Sequence, residues 1–148
     1  MMRRRERAIA VAMLVFLASV ALPACREVET ETETGYEPSS LEPVKGSTDL
    51  VRVKFTAEGA KRTGLQLAPV RRNGEHKIVR YAALIYDPEG RTYVYTSVTP
   101  LSFVRKEVEV DRIEGKQVFL TRGPAVGTRV VTVGAAEVYG TELEVASQ

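Results

Sequence analysis

Sulfur and imidazole are nearly missing from this chain. Its 148 residues include one Cys, one His, three Met and no Trp. A lone Cys cannot build an internal disulfide scaffold, and zinc-finger or Fe–S arrangements need several ligating side chains. Met1, Met2 and Met13 all lie near the N-terminus, so the rest of the chain offers no thioether to a Cu(I) site. Helical heptads and internal repeats are absent. No apolar run reaches the roughly 20 residues that cross a bilayer. The length suits one domain with appendages rather than two full domains.

What is present begins with a targeting pattern. Arg3, Arg4, Arg5 and Arg7 precede a stretch over residues 8–22 that is apolar apart from Ser19. That is too short to span a membrane comfortably but suits the core of a signal peptide. It ends in Leu22-Pro23-Ala24-Cys25, which resembles a bacterial lipobox: Leu three residues before Cys, a small residue directly before it, and the chain's only thiol at the cleavage point. The resemblance implies removal of residues 1–24 and lipidation of Cys25 by a thioether-linked diacylglycerol, with palmitate-type acyl chains holding the protein to the extracytoplasmic face of a membrane. Two acyl chains anchor stably, since each buried CH₂ contributes about 0.8 kcal/mol. The removed segment carries four Arg and one Glu, so the formal charge of +2 becomes −1 and any global attraction to nucleic acid goes with it.

Residues 25–49 read as the lipidated Cys and an acidic, flexible tether. Seven carboxylates, among them Glu27, Glu29, Glu31 and Glu33, face only Arg26 and Lys45. Such a segment cannot bury enough apolar surface to offset its ordering entropy, and self-repulsion extends it. Capture of Ca²⁺ by the acidic run is the weaker alternative, because fixed ligand geometry is missing.

Residues 50–148 carry the pattern of an all-β domain, a small β-roll or barrel with one or two short helices. Val51, Val53 and Phe55 alternate with Arg52 and Lys54, the period of a half-buried strand. Thr56 is placed to cap a short helix, with Glu58 in its first turn, Lys61 and Arg62 in its last, and Gly64 just beyond. Further strands are predicted over 65–71, 77–86, 91–96, 103–111, 117–121 and 130–133. Asn73-Gly74 and Asp87-Pro88-Glu89-Gly90 mark turns. A last helical turn is predicted over 135–139, closed by Gly140.

No catalytic set emerges, and the expectation is a protein that is not an enzyme. His76 sits beside the Asn73-Gly74 turn and reads as solvated; no nucleophile elbow exists for it to serve. Glu107, Glu109 and Asp111 share one face of a predicted strand and read as its wet side rather than as a glycosidase pair. Tyr81, Tyr86, Tyr93, Tyr95 and Phe103 read as core aromatics with hydroxyls at the edge, in preference to a stacking surface for bases or sugars. The Gly123-Pro124-Ala125-Val126-Gly127 stretch lacks the Lys-Ser/Thr ending of a phosphate loop and reads as a turn.

The stretch Tyr81-Ala82-Ala83-Leu84-Ile85-Tyr86-Asp87-Pro88-Glu89-Gly90-Arg91-Thr92-Tyr93-Val94-Tyr95 is similar to the C-terminal part of periplasmic adaptors, the membrane fusion proteins of resistance-nodulation-division (RND) efflux pumps. The likeness continues through Phe103 to Val110, Gly123 to Gly127, Val130-Val131-Thr132-Val133-Gly134 and Ala135 to Gly140. Val53-Lys54-Phe55-Thr56, Gly64-Leu65-Gln66 and Pro69-Val70 resemble the opening strand of such adaptors. Together they imply the family's membrane-proximal domain, a β-roll assembled from both chain ends, docking on a membrane transporter and supporting efflux. The departure is large. Adaptors insert a barrel, a lipoyl domain and a helical hairpin where this chain has only residues 71–76 between Val70 and Lys77. Residues 50–148 hold 15 cationic and 11 acidic side chains, and Arg71, Arg72, Arg105 and Lys106 are the candidate docking cations. The alternative is a free-standing lipoprotein binding a small ligand or an envelope polymer. It would need a concave apolar pocket with convergent polar groups. No cofactor or metal is implied, and the oligomeric state is left open.

Overall fold

The structure, a computed structural model, describes residues 37–146. Cys25, the signal peptide at 1–24 and the first part of the tether lie outside the described residues. Eleven strands form two antiparallel sheets, neither closed into a barrel. They are β1 Ser39–Pro43, β2 Val51–Phe55, β3 Gln66–Pro69, β4 Arg71–Asn73, β5 His76–Arg80, β6 Ile85–Tyr86, β7 Thr92–Thr99, β8 Ser102–Glu107, β9 Glu109–Glu114, β10 Gln117–Arg122 and β11 Arg129–Val133. Helix α1 spans Ala57–Thr63, α2 spans Ala135–Ala146, and a single 3₁₀ turn covers Tyr81–Ala83. The larger sheet runs β1-β2-β8-β7-β11-β3, with β6 also on β7; the smaller runs β4-β5-β10-β9. The all-β expectation holds.

Burial explains the layering. In β7 and β11 consecutive apolar residues point to opposite faces, as the strand period requires. Val94 and Val130 pack with Val79, Val118 and Leu120 of the smaller sheet. Their neighbours Tyr95 and Val131 pack with Val53, Phe103 and the helical residues Ala60, Ala135 and Val138. The larger sheet is thus covered on both faces, by helices on one and by the smaller sheet on the other.

The chain twice leaves the larger sheet for the smaller one at a single buried valine. Val70 is 1% exposed and joins β3 to β4; its N–H donates to the Thr128 carbonyl at 2.8 Å, and its own carbonyl accepts from Gly127 N–H at 2.9 Å. Val108 joins β8 to β9 in the same way, donating to the Thr92 carbonyl at 2.9 Å and accepting from Thr92 Oγ1 at 2.6 Å. The strands predicted over 65–71 and 103–111 are therefore each broken in two. The one predicted over 77–86 also divides, into β5 of the smaller sheet and β6 of the larger, across the 3₁₀ turn.

Three other expectations are revised. Strand β1 lies within the supposed tether: Leu41 pairs with Val53 and packs on the core beneath α2, while Glu42 meets Arg52 at 3.3 Å and Lys54 at 3.5 Å. The exposed ion pairs contribute little, so Leu41 and the ladder hold the strand. The β4–β5 hairpin has Gly74 and Glu75 as its two loop residues, with Asn73 already paired to His76. Gly74, at φ 58, occupies the first loop position, where a side chain would be strained. Helix α2 runs through Gly140 rather than stopping there. Val138 is fully buried and Glu142 nearly so, and these contacts outweigh the roughly 1 kcal/mol that a mid-helix glycine costs. Helix α1 is as read: Thr56 Oγ1 accepts from Gly59 N–H at 3.0 Å, and Gly64 ends it.

Two outcomes follow from local geometry. A Cβ on Gly59 would stand 2.3 Å from the Pro38 carbonyl oxygen, which also accepts from Thr56 N–H at 3.0 Å. Gly59→Ala, normally a gain of up to about 1 kcal/mol in a helix, should instead lower stability in urea by roughly 1–2 kcal/mol. In a chain lacking β1 the substitution should become neutral or stabilising. The second concerns the turn between β6 and β7. Burial pushes the Asp87 carboxyl up, but the Arg91 backbone N–H at 2.8 Å and its guanidinium at 2.7 Å outweigh that and hold it below its ordinary 3.8. A lowered carboxylate stabilises the fold above the unfolded value and loses that contribution as pH falls through the folded one. Melting temperatures at pH 6 and pH 3 should differ more for the wild type than for Asp87→Asn.

Candidate functional site

Where the two sheets diverge beside Val70, the surface opens into a cleft of about 630 Å³. Ala68 and Pro69 of β3 and Val130 of β11 form one wall; Ile78 and Val79 of β5 form the other. Its rim is cationic: Arg71 from β4, Arg80 from the end of β5, and Lys116 from the loop between β9 and β10. Tyr81, Ala82 and Gln117 complete the lining, which contains no carboxylate.

Strand register brings these cations together. Arg71 pairs with Ile78 across β4–β5, and Arg80 pairs with Gln117 across β5–β10. Tyr81 N–H donates to the Lys116 carbonyl at 2.9 Å, fixing that loop against the 3₁₀ turn. Some cations elsewhere are ion-paired, as in Arg122–Glu109 at 2.8 Å and Arg112 between Asp111 and Glu114 at 2.6 Å each. Arg71, Arg80 and Lys116 form no ion pair among the described residues. Sequence reasoning singled out Arg71 but missed Arg80 and Lys116. They are far apart along the chain, and nothing local marks them.

A second polar group lies inside the molecule. Tyr95 is fully buried on β7, and its hydroxyl donates to Glu142 Oε2 at 2.5 Å. Arg105 Nε lies 3.2 Å from Glu142 Oε1, close enough for charge pairing though not aligned for a hydrogen bond; its Nη2 donates to the Asp49 carbonyl at 3.0 Å. Burial, and then the neighbouring Glu142 carboxylate, push the Tyr95 hydroxyl far above its ordinary value, so it serves as a fixed donor. This network pins α2 to the larger sheet. It has no opening to substrate and acts in packing.

The other candidates are scattered. Of the proposed docking cations, Arg71 and Arg72 are on the smaller sheet and Arg105 and Lys106 on the larger; Arg105 is largely buried on Glu142 and is not available. His76 is half-buried rather than solvated, its Nε2 3.3 Å from Asp111 Oδ2 and its ring edge-on to Phe119 at 6.1 Å. Glu107 belongs to β8, whereas Glu109 and Asp111 belong to β9, so the three share no strand. Tyr93, Tyr95 and Phe103 are buried; Tyr81 and Tyr86 are about half exposed. Among the described residues no helix is long and apolar enough to cross a membrane, and no three His, Cys, Asp or Glu side chains gather as metal ligands.

No protein-family model matches the chain, and no curated protein or solved structure matches it either.

Removing Glu142 would strand a buried guanidinium and a buried phenol together. Glu142→Ala should cost about 3 kcal/mol in denaturant unfolding, and Tyr95→Phe about 1 kcal/mol. The double variant should lose less than the sum, since both act on one contact.

Proposed function

We propose that this is a non-catalytic, lipid-anchored extracytoplasmic protein related to the adaptors of RND efflux pumps, docking on a membrane transporter and supporting efflux. The observation that carries the reading is the composition of the larger sheet. Strands β2 and β3, from the first half of the compact unit, flank the block β8-β7-β11 from its second half, β2 on β8 and β3 on β11. A sheet built from both halves of the chain supports the adaptor reading. Where adaptors insert their barrel, lipoyl domain and helical hairpin, this chain makes the two-residue turn between β4 and β5. Among the described residues no helical hairpin stands in that place. The chain's contribution would be made close to the lipid anchor at Cys25, where the lipobox-like Leu22-Pro23-Ala24-Cys25 puts it.

A second reading, a lipoprotein that binds a small ligand without a transport role, is favoured by the inter-sheet cleft. Its apolar walls and convergent polar rim have the form of a small-molecule site.

The transporter reading is tested by crosslinking cells that express the tagged full chain, solubilising their membranes and identifying what co-purifies, with Cys25→Ala alongside. Labelled palmitate should enter the wild type and not the variant. A polytopic transporter recovered with the lipidated chain and lost with Cys25→Ala is the expected result. A lipidated chain on the membrane with no transporter attached would end the efflux role.

A further inference from the structure

We infer that the inter-sheet cleft is a binding site for an amphipathic anion: a small molecule carrying a phosphate or carboxylate on an apolar body. The inference rests on the ligand-binding reading and is independent of the transporter.

Charge is the first argument. Arg71, Arg80 and Lys116 converge on one concavity that no carboxylate lines. Three like charges around a partly enclosed space repel one another, and a concave low-dielectric wall focuses their field. One anion at the rim relieves that repulsion and gains charge-assisted hydrogen bonds from guanidinium and ammonium groups together. Gln117 and Tyr81 are the other polar residues of the lining.

Shape is the second. The aliphatic part of the lining comes from Ala68, Ile78, Val79 and Val130, the last two being members of the buried core. A bare inorganic ion would leave that surface wet, whereas an attached hydrocarbon or ring would cover it and gain from removing apolar area from water. The volume of about 630 Å³ falls in the range that small organic ligands occupy. Head and body are therefore recognised by different parts of one cleft. Rigid elements hold both: Val70 beside it is bonded through N–H and carbonyl, and the Lys116 loop is tied to Tyr81.

The test uses the full chain isolated from membranes and placed in phosphatidylcholine nanodiscs, titrated calorimetrically with empty nanodiscs as blank. The probes are octyl phosphate, octanol and inorganic phosphate. Saturable one-to-one binding of octyl phosphate is expected, at least about tenfold tighter than either other probe. Arg80→Gln combined with Lys116→Gln should weaken it at least about tenfold. Lys45→Gln combined with Lys61→Gln, which removes the same charge away from the cleft, should leave it unchanged. Octanol binding as tightly as octyl phosphate would overturn the anion assignment while leaving a ligand site in place. Equal binding of inorganic phosphate, or an unaffected Arg80/Lys116 variant, would overturn it too. Silence from all three probes would overturn both this inference and the ligand-binding reading. Replacing part of the phosphatidylcholine by phosphatidylglycerol separates the sources: competition assigns the anion to a lipid headgroup, and its absence to a free solute, each consistent with the inference.

Discussion

Everything in this fold hangs on two valines. At Val70 and Val108 the chain leaves the larger sheet for the smaller one, and both residues are nearly inaccessible to solvent. A strand that switches sheets must leave one ladder before joining the next, which exposes backbone groups that the interior cannot solvate. Here each valine satisfies its own N–H and carbonyl locally, Val70 through residues 127–128 and Val108 through Thr92. The apolar side chains then fill the space between the sheets with Val79, Val94, Val118, Leu120 and Val130. Without those two satisfied crossings the sheets would have no common core.

The same crossings explain what the sequence conceals. Alternation of apolar and polar residues runs on through Val108 because a residue at a sheet change still has an inward and an outward side. Period alone therefore reads β8 and β9 as one strand, and the difference shows only in the partners they choose. Local chemistry was more legible. The cap on α1, the Asp87–Gly90 turn and the apolar Val130-Val131 strand are decided by residues within a few positions of one another, and they fold as their composition says. Strand β1 was hidden for the opposite reason: its surroundings are acidic and polar, and a single Leu41 supplies most of what the core receives from it. Gly140 likewise carries a stop signal that the anchoring of Val138 and Glu142 overrides. The cleft could not have been read at all. Its cations come from β4, from the end of β5 and from a hairpin loop far along the chain, and the β4–β5 and β5–β10 registers together gather them.

Division of labour within β7 ties packing to the site. Val94 faces the smaller sheet, Tyr95 faces the helices, and Tyr93 is covered by the guanidinium groups of Arg91 and Arg105 at 5.7 and 5.3 Å. One strand thus braces both sides of the larger sheet. The cleft opens at the other end of this construction, where β3 and β4 part around Val70. Its walls belong to strands already held by the core, so its form does not depend on a mobile loop closing over it.

The outer margins of the sheets have a consequence for assembly. A strand at a sheet margin offers unpaired backbone groups to any neighbouring chain. In this molecule β1 and β3 are short and end in Pro43 and Pro69, β4 has three residues of which two are Arg, and β9 alternates Glu109, Asp111 and the Arg112–Glu114 pair with its two apolar side chains. Each margin carries a proline, a charge or too little length to template another strand. At high local concentration, copies of this protein would resist merging into continuous sheets, and contacts between them would have to form through side chains on the faces.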